Sequence, residues 1–192
     1  MEVAFAAVAV ALPFCVAAAQ PREVLAFAAT QGEGAALAKF FACDSSGDKA
    51  YAQVSSGSRQ WLSVAVRLLP YADACYTQSL DDAIARAVVP TTSRVLALVD
   101  SSPQLKAAKI CVPFLSAEDP AAGHLAYLAR AERSLRRVRA RELQSAKRAC
   151  LGEIAGAREA VRRMSSNTPV GTDTQRRAAP SALVLGAGHL QR

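Results

Sequence analysis

Aromatic residues are scarce in this chain: one Trp, four Tyr and six Phe make 6% of its 192 residues. Sandwiches and barrels need many short strands rich in aromatic and β-branched side chains, so both are disfavoured from the start. Histidine is scarcer still. Of the two present, His124 and His189, the second lies in a C-terminal stretch of Ser, Thr, Pro, Gly and Arg. No Ser or Cys stands at a recognisable elbow to partner His124, so no hydrolase triad is legible. The five cysteines show no C-x-x-C spacing, which removes zinc-ribbon and thioredoxin-like chemistry. Beyond the N-terminus no apolar run is long enough to span a bilayer. Charged residues at 20% beside a 52% hydrophobic fraction exclude a wholly disordered chain.

Two short patterns also fail on inspection. Asp44-Ser45-Ser46-Gly47-Asp48 opens like a calcium loop, but Lys49 stands where the sixth-position glycine belongs and Ser55 where a bidentate glutamate belongs. It reads as a helix N-cap turn. Val184-Leu185-Gly186-Ala187-Gly188 begins like a dinucleotide fingerprint, with too little chain behind it to form the required helix. Metal and cofactor sites are therefore not expected.

The residues from Val3 to Ala19 form an apolar, alanine-rich run. It ends in Ala17 and Ala19, the small-x-small pair a signal peptidase requires, directly before Gln20-Pro21. Cleavage after Ala19 is expected, although Met1-Glu2 places an acid where a basic region is usual. An uncleaved anchor and lipidation at Cys15 are the alternatives, and Phe14 is too large to precede a lipidated cysteine. The expected organisation is a signal peptide over 1–19, a helical domain over 20–164 and a disordered tail over 165–192, in a protein that is periplasmic or secreted and has no membrane span once processed. Removing Cys15 leaves Cys43, Cys75, Cys111 and Cys150, an even set that predicts two disulfides in an oxidising compartment.

Apolar spacing predicts an all-α domain of about five or six helices. One runs over Pro21–Ala42, interrupted at Gly32 and Gly34 or beginning afresh near Ala35. Others cover Lys49–Ser55, Arg59–Leu69 with Trp61, Leu62, Ala65, Leu68 and Leu69 on one face, and Asp73–Val88, stopping before Pro90 as the steric limit before proline requires. Thr92–Asp100 is a short apolar block that could be helix or buried strand. Ser101–Phe114 is a connection. Asp119-Pro120 supplies an N-cap and a first-turn proline for the longest pattern, Ala121–Met164. Its apolar stripe steps by five from Val138 to Leu143, so it slips phase near Arg139–Glu142, where no glycine or proline marks a break.

Geometry links that slip to the cysteines. A straight helix from Pro120 to Cys150 would be about 45 Å long, and the chain from Cys111 to Pro120 reaches at most about 30 Å. A Cys111–Cys150 bridge, and with it Cys43–Cys75, therefore requires the helix to turn back. A straight helix leaves Cys75–Cys111 and Cys43–Cys150 instead.

The pattern Trp61-Leu62-x-x-Ala65-x-x-Leu68-x-Pro70-x-x-Asp73-Ala74, then Leu80-x-x-Ala83-Ile84, Val95-Leu96, Ile110-Cys111-x-Pro113-Phe114 and Ala149-Cys150-Leu151, resembles small exported, cysteine-containing helical proteins of proteobacteria whose function is uncharacterised. The resemblance spans about Phe40 to Ile154. It implies a periplasmic location and no particular activity, and it favours the broken helix with its Cys111–Cys150 pairing. Members often carry a proline where this chain has Arg139-Ala140-Arg141.

Paired acids Asp81-Asp82, with Asp73 and Glu132, invite an acid/base reading, but Asp81-Asp82 after Ser79 read better as acids favoured in a first helical turn. The distinctive feature is charge. The long helical region holds eleven Arg and Lys against Glu132, Glu142, Glu153 and Glu159, which accounts for the net +7 of the chain. The planar guanidinium fork suits phosphate and carboxylate, so Arg133, Arg136, Arg137 and Arg141 are the candidate anion-binding residues. The expected function is non-enzymatic: binding an anionic lipid, a cell-envelope polymer or an acidic protein. An accessory or inhibitory role through the Trp61 helix is the alternative. A chain that stayed inside the cell would meet nucleic acid instead, without the interleaved aromatics that stack single strands.

Overall fold

A computed structural model describes residues 19–114 and 120–167 of the chain. The apolar run before Ala19, where a signal peptide is expected, Asp119, His189 and the residues beyond Asn167 lie outside the described residues. The architecture is all-helical, with nine α-helices and two 3-10 turns among the described residues, joined by two disulfides. The helices are more numerous and shorter than the apolar spacing suggests.

Helix α1 (Pro21–Gln31) begins with proline at a position whose N–H has no intrahelical acceptor anyway. Its start is closed by Glu23, which accepts from the Gln20 backbone N–H at 3.4 Å. Gly32 takes φ +90, and there the chain bends directly into α2 (Glu33–Phe40). The interruption expected near Gly32 is a shared corner, and the pair buries Val24, Ala28, Ala36 and Leu37. Phe41 follows as the hub of this end of the core, with Tyr51 and Trp61 edge-on to its ring at 5.3 and 6.3 Å. The Tyr51 hydroxyl donates to the Phe41 carbonyl at 2.6 Å.

Asp44 forms a local turn, its carboxylate accepting from the Ser46 backbone N–H at 2.8 Å. It does not cap α3 (Asp48–Ser55), whose N-cap position is Gly47. Helix α4 (Arg59–Leu68) is strongly amphipathic and buries Trp61, Leu62, Val64, Ala65 and Leu68 before Pro70 converts its end to a 3-10 turn. In α5 (Ala74–Arg86), Leu80, Ala83 and Ile84 face the core. Cys43 and Cys75, with Cα atoms 6.2 Å apart, clamp the α2–α3 loop to the start of α5.

The helix stops before Pro90 as expected, α5 ending at Arg86. A new helix, α6 (Val88–Leu96), begins two residues before Pro90 and runs through it, bending at Thr91 (φ −141). Proline is tolerated because the first four N–H groups of a helix have no intrahelical acceptor. The apolar block that could have been a strand is thus helix, then turns. Within the expected connection lies a single helical turn, α7 (Ala107–Ile110).

Helix α8 (Ala121–Arg137) has Pro120 as its N-cap residue, so it starts one residue later than expected and the proline stands before its first turn. It ends where the stripe slips phase: Val138 and Ala140 are extended, a 3-10 turn covers Arg141–Leu143, and α9 (Gln144–Asn167) returns antiparallel. The long helix is therefore broken, and Cys111 meets Cys150 with Cα atoms 5.2 Å apart. Side chains replace the missing turn residues. Gln144 donates to the Ala140 carbonyl at 2.9 Å, and Lys147 donates to those of Arg136 and Val138 at 3.1 and 2.9 Å.

Candidate anion-binding site

The four candidate arginines occupy the end of α8 and the turn after it. Arg133 and Arg141 are exposed and have no ion-pair partner among the described residues. Arg136 is compensated, since its guanidinium donates to Glu132 at 3.0 and 2.7 Å. Arg158 of α9 donates to the other oxygen of the same carboxylate. The Arg136 hydrogen bonds, reinforced by Arg158, hold the Glu132 carboxyl below its usual range. Glu132 is thus spent on joining the two helices. Arg137 points elsewhere, into a groove.

That groove, of about 570 Å³, lies between the first half of α6 and the end of α8. Residues Val89–Arg94 form one wall, and Ser134 with Arg137–Ala140 forms the other. It holds three arginines, Arg94, Arg137 and Arg139, and no acid. Two of them are anchored. Arg94 donates to the Gly57 carbonyl at 2.9 Å, and Arg137 donates to the Ser134 hydroxyl at 3.1 Å. Gly57 sits at φ +73, and a Cβ there would collide with Thr91 on the groove wall, so only glycine lets the α3–α4 loop pass this close. The Thr91 and Thr92 hydroxyls donate back to the Ala87 and Val88 carbonyls at 3.1 and 2.8 Å, which leaves their lone pairs as the only polar groups they present.

Sequence reasoning placed Arg139 in the basic stretch without singling it out, and it missed Arg94 and Ser134. Forty residues separate Arg94 from Ser134, and no local pattern reports that α6 and α8 pack together. The one available signal was a serine, Ser134, between Ala131 and Leu135 on the buried stripe of α8.

The other candidates fall into structural places. Asp81 and Asp82 are not first-turn acids, since they lie in the second half of α5. Asp82 pairs with Arg86 at 2.7 Å and accepts the Phe114 backbone N–H at 2.8 Å. Asp81 keeps a buried oxygen with no hydrogen-bond partner, and burial pushes its carboxyl above the ordinary value while Lys109 opposes that shift. Trp61 is only 5% exposed, so its ring belongs to the core and shows no more than an edge in a second groove lined by Ala19, Lys39, Phe40 and Lys49. Among the described residues no His, Cys, Asp and Glu cluster could hold a metal ion, and no helix is long and apolar enough to cross a membrane. No family model matches the chain, and neither a curated protein nor a solved structure matches it.

Proposed function

We propose that this is an exported, non-enzymatic binding protein, released to the periplasm by cleavage after Ala19, whose α8–α9 hairpin engages an anionic surface or polymer of the cell envelope. One observation carries the reading. The acids of the hairpin are partly consumed within it, Glu132 by Arg136 and Arg158 and Glu159 by Arg163, whereas Arg130, Arg133, Arg139, Arg141, Arg148 and Arg162 are exposed without an ion-pair partner among the described residues. Uncompensated guanidinium groups raise the local concentration of anions and offer them bidentate hydrogen bonds. The two disulfides and the run ending in Ala17-x-Ala19 support the compartment.

The test is sedimentation with anionic and neutral vesicles across a salt series. The parent is expected to bind anionic vesicles at low salt and to lose them steeply toward physiological salt, as screened surface charges do. An Arg133→Gln, Arg141→Gln, Arg148→Gln, Arg162→Gln variant should bind weakly with its thermal stability nearly unchanged. Equal binding by parent and variant would show that this face is merely solvated.

A further inference from the structure

We propose that the groove between α6 and α8 is a discrete site for a phosphate group, either free phosphate or a phosphomonoester, held by Arg94, Arg137 and Arg139 with Ser93 and Ser134 as hydroxyl donors. The proposal deepens the reading of the hairpin as an anion-binding element. It assigns a defined ligand class to one place on it.

Charge selects a multiply charged ligand. Three guanidinium groups line the groove and no carboxylate does, so a single carboxylate ligand would balance only one of them. A phosphomonoester carries close to two charges near neutral pH and three acceptor oxygens. Each arginine has five N–H donors. Arg94 spends one on the Gly57 carbonyl and Arg137 one on the Ser134 hydroxyl, which orients both forks and leaves their remaining donors for a ligand. Arg139 has no partner among the described residues.

Ser134 is the most telling residue. It is 6% exposed and is the only buried polar or charged side chain among the described residues. Its oxygen accepts from Arg137, which ties it to the guanidinium that lines the same groove. A buried polar side chain normally has a polar role, and this hydroxyl, which can donate as well as accept, lines the groove. The C-terminal end of a helix ordinarily repels anions because its free carbonyls carry partial negative charge. Here Lys147 covers the carbonyls of Arg136 and Val138, so the end of α8 is neutralised where the ligand would lie.

Calorimetric titration of the full chain with inorganic phosphate in a low-salt chloride buffer tests the site. Saturable binding is expected, weakened about tenfold in Arg139→Gln and in Arg137→Gln, the size of one lost charge-assisted hydrogen bond. Arg139→Gln is the cleaner variant because Arg139 anchors nothing in the fold. The Arg133, Arg141, Arg148, Arg162 variant should keep phosphate affinity within about twofold. Vesicles then identify the source: stronger recruitment by phosphatidic acid than by phosphatidylglycerol marks a phosphomonoester headgroup, and equal recruitment marks soluble phosphate. Absence of saturable phosphate binding in the parent, or unchanged affinity in Arg139→Gln, overturns the site. A parent that binds phosphate and ignores all vesicles leaves the groove standing and retires the extended basic face.

Discussion

Lys147 reaches back across the α8–α9 turn and donates to the Val138 carbonyl at 2.9 Å. The same ammonium holds the Arg136 carbonyl, so a side chain on the second helix does what glycine or proline usually does at the end of the first. Lys147→Met keeps the apolar stem and removes both bonds. It is expected to destabilise the protein by about 1–2 kcal/mol, read as a lower urea midpoint with an unchanged slope. An unchanged midpoint would assign the turn to packing alone.

The pairing of the cysteines is directly measurable. Non-reducing peptide mapping should recover Cys43–Cys75 and Cys111–Cys150, whose sequence separations are 32 and 39 residues. Loop entropy gives each about 4 kcal/mol of stability. Replacing Cys111 and Cys150 together by Ser should therefore lower stability by roughly that amount. A peptide joining Cys75 to Cys111 would contradict the hairpin.

Glu132 predicts an acid-sensitive hairpin. Its carboxyl titrates lower in the folded protein than in the unfolded chain, chiefly because Arg136 hydrogen-bonds the charged form. Its stabilisation is thus present above the ordinary glutamate pKa of about 4.3 and disappears as pH falls through the lower folded value. Glu132→Gln should melt at a lower temperature than the parent at pH 7. The difference should close in strong acid, and a constant gap would point to shape rather than charge.

Asp81 carries the opposite sign. Burial raises its pKa in the folded state, so ionisation penalises folding as pH rises past the ordinary aspartate value of about 3.9. Asp81→Asn should raise the melting temperature at pH 7. Below that value, where the carboxyl is protonated in both states, the advantage should fade. A lower melting temperature at pH 7 would mean that Asp81 is paired after all.

The helical character was legible because apolar side chains recur at helical spacing, and Trp61, Leu62, Ala65, Leu68 and Leu69 are all buried as that spacing implies. The break after Arg137 was legible too, as a phase slip, but what closes it was not, since Lys147 acts from nine residues beyond Val138. The stop before Pro90 was legible from the steric limit before proline, which says nothing against the next helix beginning two residues ahead of it. The candidate arginines were legible as a charged stretch. The compensation of Arg136 is an i,i+4 pair with Glu132 inside α8 and so has a local trace. Arg158 joining that carboxylate from α9 and Arg94 reaching the groove from α6 are tertiary facts with none.

Each disulfide joins a cysteine to the next one along the chain, from Cys43 to Cys75 and from Cys111 to Cys150, so the two covalent loops are strung in series, neither nested nor crossed. Beyond Cys15, a chain that meets an oxidant starting from its N-terminal side exposes Cys43 next, and the thiol that follows is its native partner; the same holds for Cys111. Oxidation in order of appearance then yields the native connectivity without reshuffling. Cys15 is the one thiol that would upset that order, because it emerges ahead of all the others.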